Sequence, residues 1–399
     1  MAKNHRGFST RAVHAGEGVR PSDYVPVATP IHPTVGFVYD SMDELDAIFA
    51  TTRPGYVYPR YGSPTVAAFE EAVANLEGGE AAFGFPSGMA AVHMALLASG
   101  VRAGTSVVAA QDLYGATTTL IERLMAGLGV KARFADMADL AAVEAALSET
   151  RPAALVAEII SNPLLKVADV PALADLAHRY GAQCLIDNTF ATPYLFTPLA
   201  CGADYVIHSA TKYIGGHGDV MAGVVVTSAE NRRKLYETNK LVGSVLGPFE
   251  AWLALRGLKT LPLRMQKQCA NAKVVAEWLA ARPGIGCVNY PGLPSHPQHK
   301  LARQLFGDRG FGAMVSFEIA GADGTKVFRF MEALELCLPA TTLGDVYTLV
   351  LHPATTSHRS LTPEEREKVG IGDGLARLSI GIEDVEDILV DLDQALRSP

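Results

Sequence analysis

The segment HSATKYIGGHGDV, residues 208–220, places Lys212 just beyond an apolar strand-like run and ahead of Gly215 and Gly216. An amine held in apolar surroundings has its ammonium form disfavoured, which equips it as a nucleophile or imine former. The plainer alternative is a lysine whose apolar stem lies along the protein while its charge reaches water. Ser209 and Thr211 set hydroxyls beside it, suited to an anionic phosphate. Asp187, in LIDNTF, closes the preceding strand-like run, and strand ends in open α/β sheets are where ligands bind. A carboxylate paired there with a ring nitrogen keeps that nitrogen protonated and the ring electron-withdrawing. Its plainer alternative is an aspartate capping a turn. In FPSGMAAVHMALL, residues 85–97, Ser87 and Gly88 open a helix whose free N–H groups and dipole suit a phosphate, although many helix starts look like this.

These residues need a scaffold, and the pattern from about Ser63 to Ser228 supplies one. Short apolar runs at 106–110, 154–160, 183–188, 205–210 and 223–228 are apolar at both alternating positions, as strands covered on both faces are. Amphipathic helical stretches at 139–149 and 170–181 lie between them, the second closed by Gly181. Such alternation predicts a mostly parallel, doubly wound sheet. A long helix over 249–282 follows, with Pro262 expected to break or kink it. Gly-rich turns then alternate with strand-like pieces at 312–319, 348–354 and 376–382, and an amphipathic helix from about Glu383 ends the chain. The first ~60 residues, rich in Pro, Gly and Tyr without sustained periodicity, read as an arm. The expected division is an arm over 1–62 contacting a neighbouring subunit, a large domain over 63–255 and a smaller α+β domain over 256–399.

Composition narrows the function classes. With 42 acidic and 34 basic residues and a net charge of −8, a nucleic-acid surface is disfavoured. No apolar stretch reaches ~18 uninterrupted residues and the start is polar, so no membrane span or secretory signal is expected and the cytoplasm is the default. Five scattered cysteines (Cys184, Cys201, Cys269, Cys287 and Cys337) make neither a disulfide framework nor a zinc site, and small buried hydrophobes are the expectation. A nucleotide P-loop is absent, because the glycines follow Lys212 rather than precede it. His208 with His217, and His352 with His358, lack the H-E-x-x-H pattern and completing ligands, so no metal site is expected.

The ordered series SGMAA, Tyr114, SNPLLKVADV (161–170), IDNTFATP (186–193), SATKYIGGH, LRGLKTLPLRM and RLSIGIED (377–384) resembles the γ-family of fold-type I pyridoxal-phosphate enzymes, which act in cystathionine and methionine metabolism. The likeness runs from about Thr10 to the C-terminal helix. It implies an α/β fold with a mostly parallel sheet of seven strands flanked by helices, a smaller C-terminal α+β domain and an N-terminal arm. It implies pyridoxal 5'-phosphate joined to Lys212, which then shuttles protons, with Asp187 at the ring nitrogen and Tyr114 stacked on the ring as acid or base. Ser87, Gly88, Met89, Ser209 and Thr211 resemble the phosphate cradle. Tyr58 and Arg60, in YPRYGSPT, match a pair reaching a neighbouring subunit's phosphate, which implies a homotetramer built from active-site-sharing dimers. Arg377 matches the clamp on the substrate α-carboxylate, with Asn162 and Thr342 beside it.

Within that family, cystathionine-handling members often carry an arginine five residues after the stacking tyrosine and a glutamate in an SLGG-x-E turn. Here those positions hold Thr119 and Tyr347. A distal charge without a partner is costly, so a short or neutral γ-substituent is favoured, as in methionine or an O-acylhomoserine. Ala116 stands where methionine-cleaving members usually have cysteine, and Thr342 where a serine is usual. The leading expectation is γ-elimination from a sulfur-containing amino acid, giving 2-oxobutanoate, ammonia and a thiol. The alternatives are γ-replacement, as by a cystathionine γ-synthase or an O-acylhomoserine sulfhydrylase, and cystathionine cleavage.

Overall fold

A computed structural model of the chain describes residues 6–16, 26–359 and 361–397, so positions 1–5 and 17–25 of the expected arm lie outside the described residues. Seven strands build the larger sheet: β1 Ala81–Phe85, β2 Ser106–Ala110, β3 Lys131–Ala135, β4 Ala154–Glu158, β5 Gln183–Asp187, β6 Tyr205–His208 and β7 Gly223–Thr227. Their order is β1-β7-β6-β5-β4-β2-β3. Only β7 runs against its neighbours, and the pairings from β6 through β5, β4 and β2 to β3 are parallel. Successive side chains of a strand face opposite ways, so the buried run of every residue in β2 and β7 means that helices cover both faces. The strand sequence turns back on itself between β4 and β2, the place where such sheets bind ligands.

A second sheet follows, formed by β8 Ile285–Asn289, β9 Met314–Ile319, β10 Leu338–Pro339, β11 Leu349–Leu351 and β12 Leu375–Ser379, in the order β10-β11-β12-β9-β8. Only β10 and β11 pair in parallel there. Each sheet has its own apolar core.

Three expectations need correction. The long helix over 249–282 is two helices, Pro248–Leu258 and Leu261–Ala280. Pro262 sits in the first turn of the second, where its missing N–H has no helical acceptor to lose. The arm is not without periodic elements: Phe8–His14 and Met42–Phe49 are helical, the latter capped by Ser41, whose side chain accepts from Glu44 N. β1, β3, β8 and β10 went unanticipated, because an Ala-rich strand, a strand with exposed Lys131 and Arg133, and short edge pieces carry no apolar alternation.

The helix Leu261–Ala280 joins the two cores. Leu261, Met265 and Cys269 pack in the larger one, whereas Ala272, Val275 and Leu279 pack in the smaller. Its polar residues 264, 268 and 271 share one face by helical spacing. Arg264 donates to the carbonyls of Tyr213 (2.7 Å) and Gly257 (2.9 Å), beside Lys212. Gln268 donates to Asp345 O and Ile380 O, and Asn271 to Gly381 O and Glu383 O. That face therefore holds the Lys212 turn on one side and the end of β12 on the other. Gly257 lets this region close up, since a Cβ there would lie 2.1 Å from Gly215 O.

Two buried histidines make stability sensitive to acid. Burial pushes His296 and His358 down to about 4 from a usual value near 6.5, with Arg377 adding to the effect at His358. Once unfolded, each ring takes its proton near pH 6.5, so between 6.5 and 4 the unfolded chain binds more protons. This stabilisation is full above pH 6.5 and is lost as the pH falls toward 4, at up to ~1.4 kcal/mol per pH unit for each ring. We expect the Tm of a His296→Gln/His358→Gln variant to decline less steeply across that window than the parent's. Parallel Tm profiles would refute this account.

Candidate active site

Because parallel strands end on the same side of a sheet, the segments leaving β2, β4, β5 and β6 meet at one edge. A cavity of about 600 Å³ opens there, within the usual range for ligand clefts. It brings together Ser87, Gly88, Met89, Tyr114, Asn162, Asp187, Ser209, Thr211, Lys212 and Arg377, which are ten of the residues singled out from the sequence. Thr342 joins them through Lys212, whose Nζ donates to its hydroxyl at 3.0 Å.

Lys212 lies in the turn after β6. Burial first, and the nearby Arg377 second, lower its affinity for a proton, so the amine is more readily neutral than a lysine in water. Asp187 ends β5 and accepts the Thr189 N–H at 2.9 Å. Its register partner on β4 is Glu158, a residue the sequence reading passed over because Ile159 and Ile160 carry the apolar run two positions beyond it. Burial pushes Glu158 well above the usual carboxylate range, and the neighbouring Asp187 pushes it further. Burial also raises Asp187, but Thr189 and the nearby His208 oppose the rise. Of the pair, Glu158 is pushed further toward its neutral form and Asp187 is the more readily charged. Behind them, His208 Nε2 lies 2.6 Å from Glu77 Oε1, to which Asn188 Nδ2 also donates, all three side chains being buried.

Gly88 begins the helix Gly88–Ala98, whose cap Ser87 accepts from Ala90 N at 3.1 Å. A Cβ at Gly88 would stand 2.7 Å from Ser209 Cβ, so only glycine allows the helix start and the strand end to meet. Thr211 lines the cavity, yet its hydroxyl both donates to Ala222 O and accepts from Ala222 N, so it braces the backbone. Met89 accepts from Thr117 Oγ1 at 3.8 Å. The Tyr114 ring is 44% exposed, and its N–H donates to Glu158 Oε1 at 2.6 Å, which ties the tyrosine to the acidic pair.

Arg377, on β12, is 3% exposed and lowered to about 10 by burial. Its Nη1 donates to Asn162 Oδ1 at 2.8 Å and its Nη2 to Thr342 O at 3.4 Å, while its Nε has no partner among the described residues. A buried guanidinium with a free N–H is prepared for a carboxylate.

Tyr58 and Arg60 do not reach this cavity in their own chain. They lie in the 54–62 segment, where Arg60 donates to Lys240 O and stacks over Tyr61, beside a separate cavity of about 520 Å³. Thr119 and Tyr347 are turned away as well. The Thr119 hydroxyl returns to Gly115 O at 2.9 Å, and Tyr347 is 54% exposed. All five cysteines are free, with Cys184, Cys269 and Cys337 buried. Among the described residues no cluster of His, Cys, Asp and Glu is arranged to hold a metal ion, and no helix is long and apolar enough to cross a membrane.

Residues 9–397 match the family described as Cys/Met metabolism PLP-dependent enzyme. The chain is 44% identical over 397 residues to an L-methionine gamma-lyase of Pseudomonas putida, covering 98% of both chains. It is 43% identical to an O-succinylhomoserine sulfhydrylase of Pseudomonas aeruginosa, covering 98% of this chain and 95% of that one. Among solved structures, cystathionine gamma-lyase from Lactobacillus plantarum superposes with a TM-score of 0.91 at 37% identity, over 98% of this chain and 99% of that one.

Proposed function

The chain belongs to the family of Cys/Met metabolism PLP-dependent enzymes, and on that premise we propose that it cleaves the γ-carbon–sulfur bond of a methionine-like amino acid, releasing a thiol, 2-oxobutanoate and ammonia. The observation that carries this reading is the meeting of Lys212, Asp187 and Arg377 around one cavity, the lysine with lowered basicity and the arginine with an N–H left over for a carboxylate. The residues fit pyridoxal phosphate: a lysine of lowered basicity, a buried carboxylate at a strand end, and a helix start too close to Ser209 for any side chain on Gly88.

Bound pyridoxal phosphate supplies an electron sink for charge that develops beside the substrate's amine. In our reading Lys212 attaches it and, when released, takes and returns protons at the substrate's α- and β-carbons. Asp187 keeps negative charge against the ring nitrogen. Ser87, Gly88, Met89 and Ser209 would hold the phosphate at the start of the helix Gly88–Ala98, while Thr211, its hydroxyl spent on Ala222, braces the backbone beside them. Arg377, steadied by Asn162 and Thr342, grips the α-carboxylate. Tyr114 covers the ring and hands a proton to the departing sulfur, its backbone fixed by Glu158. Tyr58 and Arg60 serve the phosphate of a neighbouring subunit, which makes the working unit a dimer within a homotetramer and explains why they stand apart from their own cavity. The same reading places the enzyme in the cytoplasm.

A neutral γ-substituent is supported by the positions of Thr119 and Tyr347, neither of which offers a charge to the cavity. A second reading, γ-replacement on a homoserine ester, draws support from the sulfhydrylase likeness. The test offers methionine, cystathionine, and O-acetylhomoserine with sulfide to the purified protein. We expect kcat/KM for methionine to exceed that for cystathionine by about tenfold or more, the cost of leaving a distal charge unpaired. Preference for cystathionine would overturn the assignment, and preference for the ester would install the second reading.

A further inference from the structure

Glu77 is the last residue of the helix Pro64–Glu77, and its side chain is fully buried. A carboxylate shut away from water is costly, and its surroundings have to account for it. Asp187 and Ile207 are register partners on β5 and β6, so the residues that follow them, Asn188 and His208, turn to the opposite face of the sheet. There a single oxygen, Glu77 Oε1, accepts from Asn188 Nδ2 at 2.8 Å and meets His208 Nε2 at 2.6 Å. Asn188 Nδ2 also donates to Phe196 O at 2.9 Å. Glu77 Oε2, Asn188 Oδ1 and His208 Nδ1 have no partner among the described residues. Unsatisfied buried atoms cost stability, so this cluster is not built for stability alone.

None of the three side chains lines the cavity, yet two of them adjoin residues that do. Asn188 lies between Asp187 and Thr189, and His208 precedes Ser209. On the cavity side Ser209 N donates to Thr189 Oγ1 at 2.9 Å, and Thr189 N donates to Asp187 Oδ1 at 2.9 Å. The two chain segments are therefore tied at the cavity by Thr189 and from behind by Glu77. The rear tie has little play. The helix closes on Gly78 at φ 73°, and a Cβ on Gly79 would lie 2.8 Å from Leu199 Cδ1. Ser209 is equally confined, because Gly88 stands against it with no room for a side chain.

We propose that Glu77 is a positioning residue, whose one oxygen sets the gap between Asp187 and Ser209 to the length of a phosphorylated pyridine cofactor. This rests on the reading above that Asp187 faces the ring nitrogen and Ser209 the phosphate. Glu77 acts through Asn188 and His208, each one residue away from a group that grips. A ligand held at both ends feels an error in the gap, and a working site tolerates only about 0.5 Å. Pyridoxal, which lacks the phosphate, is held at the ring end alone and escapes that error.

The experiment titrates the full-length protein, freed of cofactor, with pyridoxal phosphate and with pyridoxal, following the visible band. The readout is the ratio of the two Kd values. Glu77→Met keeps the length of the side chain and removes the acceptor, whereas Glu77→Gln keeps an oxygen for both neighbours. We expect Glu77→Met to reduce the preference for the phosphorylated compound about tenfold, less than the roughly 10²-fold that a full ångström can cost. Glu77→Gln should retain most of the preference. The Tm falls in Glu77→Met whatever the role of Glu77, because two buried neighbours lose a partner, so the ratio decides. An unchanged ratio in Glu77→Met overturns the inference. If that variant does not fold, Asn188→Ala releases the Asp187 side alone, and an unchanged ratio there overturns it equally. A parent that prefers the phosphorylated compound, with variants that prefer it as strongly, sinks the inference and leaves the reading of Ser209 intact. A parent that binds both compounds equally removes that reading and the inference with it.

Discussion

Alanine in place of Lys212 is expected to abolish the visible absorption band that the parent shows with pyridoxal phosphate, a band borohydride should bleach in the parent. Turnover of any γ-substituted amino acid should fall by at least about 10³-fold. Two losses combine. The amine is the one lysine side chain lining the cavity, so no neighbour can replace it as the point of attachment. Its lowered basicity also makes it the group ready to take a proton from the substrate, and removing a positioned acid–base group costs about 10²–10⁴-fold by itself. The variant should still fold, because among the described residues Nζ bonds only to Thr342 and the surrounding turn is held by Arg264 through Tyr213 and Ile214. A normal visible band in Lys212→Ala would refute the assignment of the attachment point.

Asparagine at Asp187 should leave the shape of the site and the Thr189 contact in place while deleting the charge. We expect kcat to drop by about 10²–10³-fold, in line with the removal of one preorganised electrostatic group, with the lysine-linked band still forming. The argument turns on the neighbouring carboxylates. The substitution removes the repulsion of Asp187 from Glu158, but burial, the larger cause of the upward shift of Glu158, remains, so Glu158 is a poor substitute for the lost charge. A kcat within threefold of the parent's would show that the ring nitrogen does not depend on residue 187.

Sequence and structure agree where burial is two-sided. β2, β4, β5, β6 and β7 were legible because both faces are covered and apolar residues run without interruption. β3 opens on exposed Lys131 and Arg133, and at an edge nothing requires those positions to be apolar. The helix Met42–Phe49 carries Met42, Leu45, Ile48 and Phe49 at helical spacing, but at eight residues it is too short for that pattern to stand out, and none of it is buried in this chain. In the site, Lys212 and Asp187 carried recognisable chemistry together with strand-end placement. Glu158 ends its strand as Asp187 does, but the following Ile159 and Ile160 made the apolar run read on to 160 and hid that end in the sequence. Glu77 gave no signal at all: a glutamate closing a helix is ordinary until the fold brings it against Asn188 and His208.

The row formed by Arg264, Gln268 and Asn271 has a consequence for how substrate arrives. One rigid rod fastens the backbone beside Lys212 to the backbone just past Arg377, so the spacing between amine and guanidinium is set like marks on a ruler. Swinging the smaller sheet away from the larger would break either the Arg264 bonds or those of Gln268 and Asn271, according to which half keeps the helix. Access past Tyr114, which lines the cavity and is exposed, needs none of these bonds broken.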